Sequence, residues 1–276
     1  MAVTVDNYGE VLKERESGIF KPHVLIQGGL VTICEWASNQ QPPPKSKDQI
    51  IREFSPGARL RLLKNIAIID WDKIPKGLFV TLTYPDDCAK CNPNVSTMHR
   101  SWFMRDIENH LQVKVPSLWR REMQRRKSGV YKGKYVQHFH LCLFTSRYLS
   151  KETIRETWRK IIGAEGPLCT DVKRMRSGEH AAFYLAKYLS KRKNNPSLDD
   201  DLHLNNPGRA WGWTRKHLIP IEEPRYLSNL TPVQINNLMK EARRMRKVKP
   251  EWSTPSITLL GKNADKITEL IRCELS

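Results

Sequence analysis

Two stretches of the chain read as strands from their pattern alone: GLFVTLTY, Gly77–Tyr84, and YVQHFHLCLF, Tyr135–Phe144. Both are short, rich in β-branched, aromatic and aliphatic residues, and flanked by turn residues. Pro85, Asp86 and Asp87 stop the first. Asn94 to Ser96 then offer capping side chains for a helix over about Thr97–Val113, in which Trp102, Phe103, Ile107 and Leu111 roughly follow helical spacing. SLWRREMQRR, Ser117–Arg126, alternates basic residues as a strand would, and KSGVYKGK after it is turn-like. A second helix is predicted over Ser150–Ile162, with Ile154, Trp158 and Ile161 on one side, followed by a short strand CTDVKRM, Cys169–Met175. The order strand, helix, strand, strand, helix, strand is the split βαβ pattern: an α+β fold with a four-stranded antiparallel sheet and two helices on one face. Ala210–Thr214 is a candidate fifth strand. A parallel αβ sandwich would need more crossover units.

Around this middle the pattern is weaker. The first segment holds one apolar run, VLIQGGLVTICEW, Val24–Trp36, followed by NQQPPPKSKD with its stiff proline triplet. Beyond Pro220, Pro232 opens a basic helix, TPVQINNLMKEARRMRKVK, and a last helix is predicted near Ala264–Cys273. The expected organisation is a peripheral segment over residues 1–54, a central domain over 55–219 and a basic helical C-terminal extension over 220–276.

Charge changes the picture most. The chain of 276 residues carries 47 Lys and Arg against 29 Asp and Glu, a net of +18, which favours a nucleic-acid partner. Of six cysteines only Cys88 and Cys91 form a CxxC, with no second pair to complete a tetrahedral zinc site. Free thiols and a cytoplasmic location are expected. No apolar run approaches the ~20 residues of a membrane helix, and no GxxxxGK[ST] loop is present, so neither a membrane nor a nucleotide cofactor is expected.

The candidate chemistry lies on the second strand and on SGEHAAFYLAKYLSKRK, Ser177–Lys193. Successive strand residues point to opposite faces, so His138 and His140 share one face, continued by Cys142, while Phe139, Leu141 and Leu143 share the other. Two imidazoles suit a divalent metal but need a further carboxylate or amide to complete a site. Thr81 and Thr83 share a face of the first strand and are candidates to contact phosphate or support a histidine. Ser177 is a fitting N-cap for a helix. On its 3.6-residue period Tyr184, Lys187, Tyr188 and Lys191 fall on one face, with His180 a turn earlier, whereas Ala182, Leu185, Ala186 and Leu189 fall on the other. Tyrosines placed for packing would share the leucine face. A tyrosine hydroxyl, with pKa ~10, is a poor nucleophile. It attacks a phosphodiester when a metal polarises the phosphate and a lysine offsets the developing charge.

In this order LFVTLTYPDD (Leu78–Asp87), HFH (His138–His140) and YLAKYLSK (Tyr184–Lys191) resemble the three motifs of rolling-circle replication initiators of the HUH endonuclease superfamily. The pattern is similar to the two-tyrosine initiators of microviruses of the Chlamydia-phage type and of related plasmids. GRAWGW, Gly208–Trp213, is similar to a stretch behind the catalytic helix in the phage proteins. The resemblance covers about Gly77–Trp213. It implies an RRM-like or ferredoxin-like antiparallel sheet of four to five strands, with His138 and His140 as ligands of Mg2+ or Mn2+. Glu179, His180, Asp86 and Asp87 are the candidates for a third ligand. Tyr184 and Tyr188 would be the nucleophiles, helped by Lys187 and Lys191. The implied reaction is site-specific nicking of single-stranded or nicked origin DNA through a 5′-phosphotyrosine, with a host helicase and a host DNA polymerase as partners. Arg120, Arg121, Arg125, Arg126 and the Arg243–Lys249 stretch are candidate contacts to the DNA backbone. Arg209 stands in the GRAWGW stretch, and Trp211 and Trp213 are candidate base-stacking platforms. The alternative, a non-catalytic RRM-like nucleic-acid-binding protein, also fits the charge but leaves the histidines and the tyrosine face without a role.

Overall fold

The structure, a computed structural model, describes residues 5–6, 22–35, 56–85, 93–125, 132–133, 135–164, 170–175, 209–247 and 256–275. Its strands are β1 (Val5–Asp6), β2 (His23–Gln27), β3 (Leu30–Cys34), β4 (Leu78–Thr83), β5 (Ser117–Arg125), β6 (Tyr135–Leu143), β7 (Thr170–Arg174), β8 (Trp211–Thr214), β9 (Arg225–Leu227) and β10 (Ser256–Leu260). The described α-helices are α1 (Pro56–Ala67), α2 (Pro93–Leu111), α3 (Lys151–Ile162), α4 (Pro232–Arg246) and α5 (Lys262–Leu275). The chain divides into two compact units, one of residues 46–62 and 71–220, the other of residues 1–45, 63–70 and 221–276. None of the described helices is long and apolar enough to cross a membrane.

The larger unit holds a sheet of five antiparallel strands in the order β7-β4-β6-β5-β8. Alternation along β4 and β6 sends Val80, Leu82, Phe139, Leu141 and Leu143 to one face. There they bury against Phe103, Ile107 and Leu111 of α2 and Ile154, Trp158 and Ile162 of α3. With one face committed to this core, a one-residue slip would expose it, so the register of β6 against both neighbours is pinned. Trp158 is fully buried, and its indole N–H donates to the Thr83 carbonyl at 2.8 Å, locking α3 to the end of β4. The α3 helix starts where the Ser150 hydroxyl accepts from the Thr153 N–H at 3.0 Å and ends at Gly163. At the β5–β8 edge a Cβ on Gly212 would lie 2.7 Å from the Trp119 ring, so the close approach of β8 to that indole requires glycine.

The smaller unit holds a second antiparallel sheet, in the order β1-β9-β2-β3-β10. Val24, Ile26, Val31, Ile33, Ile257 and Leu259 face the buried sides of α4 and α5. Thr231 and Gln234 form a capping box at the start of α4, with Pro232 in its first turn.

The protein is therefore a mixed α+β fold with two antiparallel sheets flanked by helices. This corrects the expectation of one four- to five-stranded sheet followed by a purely helical extension. VLIQGGLVTIC is a hairpin, turned at Gly28 with φ +53°, rather than one apolar run. The strand that completes it, β10, pairs with β3 from more than 200 residues away, which no local pattern reveals.

Candidate functional site

The face of β6 opposite the helix core carries His138, His140 and Cys142. Register brings neighbours to them from both sides. Thr83 and Glu122 stand opposite His138, and Thr81 and Arg120 opposite His140. Asp171 on β7 and Trp211 on β8 extend the His140 row to the two edges. The Thr83 hydroxyl hydrogen-bonds with His138 Nδ1 at 2.7 Å and the Thr81 hydroxyl with His140 Nδ1 at 3.1 Å. His140 Nε2 lies 2.9 Å from Glu122 Oε2. The Phe79 ring stacks on His140 with centroids 5.8 Å apart and planes 21° from parallel. Both nitrogens and one face of His140 are thus held by neighbours.

The electrostatics of this face follow from burial. Arg120 and Glu122 are both buried. Loss of hydration lowers the Arg120 pKa, the Glu122 charge opposes that shift, and Arg59 adds to it. Burial pushes the Cys142 thiol well up, and its sulfur lies 3.0 Å from Met175 Sδ. Cys142 is thus a protonated, packed thiol and a poor ligand where it stands.

The structure brings His138, His140, Arg120 and Trp211 together on one face. Arg121 is buried on the other face, beside Phe139 in the register. Burial lowers its pKa to about 10, with the Tyr84 hydroxyl opposing the shift. Arg100, whose guanidinium sits 4.0 Å above the Trp119 ring, is lowered to about 10 by burial and then by the charges of Arg121 and Arg209. Arg209 is exposed just before β8, and Arg125 closes β5. Tyr184, Lys187, Tyr188, Lys191, Glu179, His180, Asp86, Asp87 and Arg126 lie outside the described residues. Among the described residues no group of three or more His, Cys, Asp and Glu side chains is set as a metal site.

Glu122 is not singled out by the sequence, where it reads as one acid in a basic strand. Its signal is positional: it shares a face with Arg120, two residues away, and only the β5–β6 register shows that this is also the histidine face.

An open sheet face that collects two imidazoles, a carboxylate and an arginine on a strongly basic chain suits work on a phosphate-bearing partner. Residues 77–193 match the family model of the replication-associated proteins of the ORF2 type, so over that span the chain carries a replication-initiator domain of this family. The span includes β4, β6 and the tyrosine segment. No curated protein and no solved structure matches the chain.

Proposed function

We propose that the chain is a two-tyrosine HUH replication initiator, a nickase and strand transferase for single-stranded origin DNA, resembling those of microviruses and related plasmids. The observation that carries this reading is the pairing of His138 and His140 with Glu122 on one sheet face, inside the span that matches the replication-associated family. The order β7-β4-β6-β5, with its two helices on one side, supports an RRM-like reading of the fold.

The donor set fits a divalent ion such as Mg2+ or Mn2+. Two ligand atoms at right angles on an ion with ~2.1 Å bonds lie ~3 Å apart. His140 Nε2 and Glu122 Oε2 are 2.9 Å apart. The threonine bonds to both Nδ1 atoms leave each Nε2 as the ligand-forming nitrogen, the usual arrangement behind a metal-bound imidazole. Glu122 is therefore proposed as the third ligand, in preference to Glu179 or Asp86. When bound, such an ion supplies Lewis-acid polarisation of the scissile phosphate.

The chain's own groups do the rest. The phenol oxygen of Tyr184 or Tyr188 attacks phosphorus and gives up its proton. The P–O3′ bond breaks, and the 3′ oxygen takes a proton and leaves as a hydroxyl. Lys187 and Lys191 offset the charge that develops on the phosphate. The 5′-phosphotyrosine keeps the phosphodiester energy, so a later 3′-hydroxyl can displace the tyrosine and reseal the strand. A second tyrosine one helical turn away serves a second cleavage while the first is occupied. The free 3′ end would prime a host polymerase, with unwinding left to a host helicase.

The test uses single-stranded origin DNA labelled at its 3′ end, with Mn2+ or Mg2+, run on a denaturing gel. A protein-linked label is expected with the parent chain and with either Tyr184→Phe or Tyr188→Phe, and none with both. Binding of the same DNA without any adduct overturns the reading in favour of a non-catalytic binding protein.

A further inference from the structure

A cavity of about 460 Å³ stands beside the histidine face in the larger unit, lined by Thr81, Thr83, Lys151, Arg155, Thr170 and Asp171, among others. That volume is within the roughly 300–1,000 Å³ range of small-molecule sites. Lys151 and Arg155 are four residues apart on α3, so both point to one side of the helix. Lys151 stands at the N-terminal end of α3, where the helix dipole favours an anion. The Arg155 Nε–H is shut off from solvent with no acceptor among the described residues. Asp171 is the only carboxylate among these lining residues, and Lys173 Nζ holds it at 3.1 Å. Two cations thus face the cavity while its one acid is already neutralised. Thr81 and Thr83 belong to both sites: they line the cavity, and their hydroxyls hold His140 and His138.

We propose that this cavity seats a backbone phosphodiester of the single strand next to the one being cut, with Lys151 and Arg155 as its anchors. The inference deepens the nickase reading and rests on it for the identity of the strand. Arginine and lysine at a phosphate set the register of a strand without reading its bases. A phosphate held one wall away from the histidines fixes which linkage reaches them. Cleavage position is then set partly by the distance between the cavity and the histidine face, besides base recognition elsewhere.

The experiment measures binding of a fluorescent single-stranded oligonucleotide by anisotropy, in EDTA, across a salt series. EDTA removes nicking from the measurement, so the adduct test and this one can fail separately. The double variant Lys151→Gln/Arg155→Gln is expected to bind about tenfold more weakly. Its log K against log salt slope is expected to fall by about 0.7, the loss of one phosphate contact. Replacing a single linkage of the oligonucleotide by neutral methylphosphonate at the correct position should reproduce that loss in the parent chain and add nothing in the variant. Lys151→Gln alone, at an exposed helix position, gives the smaller loss of the same kind and keeps the test valid if the double variant does not fold. Parent-like affinity and salt slope in the variants overturn the proposal. So does binding of a free deoxynucleoside monophosphate as tight as the strand and lost in the same variants, which makes the cavity a nucleotide site instead.

Discussion

The two sheets of this protein have the same number of strands and the same antiparallel pairing, and both bury one face under two helices. They differ on the other face. In the smaller unit the polar groups there satisfy one another: Thr32 and Thr258 share a hydrogen bond of 3.0 Å across β3 and β10, and the Gln27 amide donates to the Glu222 carbonyl at 2.7 Å. In the larger unit the corresponding face carries two imidazoles, a buried carboxylate and a buried guanidinium. Burying charge costs stability unless it is well partnered. A sheet needs no such groups to hold together, as the smaller one demonstrates. Architecture alone therefore does not identify the working sheet, whereas the ionisable groups on its second face do.

The contrast between the sheets is most vulnerable at the scaffold. Trp158→Ala removes the fully buried indole and its bond to the Thr83 carbonyl and should cost about 3–5 kcal/mol. Denaturant unfolding would report it, with histidine-face function lost alongside. His140→Ala or Glu122→Gln should leave folding largely intact but slow nicking roughly a thousandfold, about 4 kcal/mol of barrier. A smaller effect is expected at Glu108, buried at the end of α2. Burial raises the Glu108 pKa, but hydrogen bonds from Arg215 and the Val115 N–H, with the charges of Arg215 and Lys114, outweigh that and leave it below the ordinary carboxylate value. Its stabilisation is thus present above the ordinary pKa and is lost as pH falls through the depressed one. Glu108→Gln should cost about 2 kcal/mol near neutrality and make thermal unfolding less sensitive to acid, which melts between pH 7 and pH 3 would show. Thr83→Val removes the partner of His138 Nδ1 and should slow nicking ~10–100-fold with little change in melting. Its counterpart in the other sheet, Thr32→Val, should cost under ~1 kcal/mol of stability and leave nicking unchanged.

Much of the larger unit was legible in the sequence, because its elements announce themselves locally. The strands expected over 77–84 and 135–144 are β4 and β6, the helix expected over 150–162 is α3, and the fifth strand near 210–214 is β8. The histidine pair was readable for the same reason, since a period of two puts His138 and His140 on one face whatever surrounds them. Glu122 was not, because its relation to the histidines depends on cross-strand register. The second sheet was hidden for a related cause. Its strands are short, come from both ends of the chain and pair over long separations, so no stretch carries the whole signal. The cavity of Lys151 and Arg155 likewise appears only when α3 packs beside β4 and β7.

Whether the histidine face of the larger sheet holds the metal can be read from Mn2+ binding to the DNA-free chain, followed by calorimetry or by the Mn2+ electron paramagnetic resonance signal. A Mn2+ site is expected in the parent chain, weakened at least ~10-fold by Glu122→Gln and by His140→Ala and unaffected by Thr32→Val. Parent-like Mn2+ binding in both the Glu122 and the His140 variants would contradict a metal on this face.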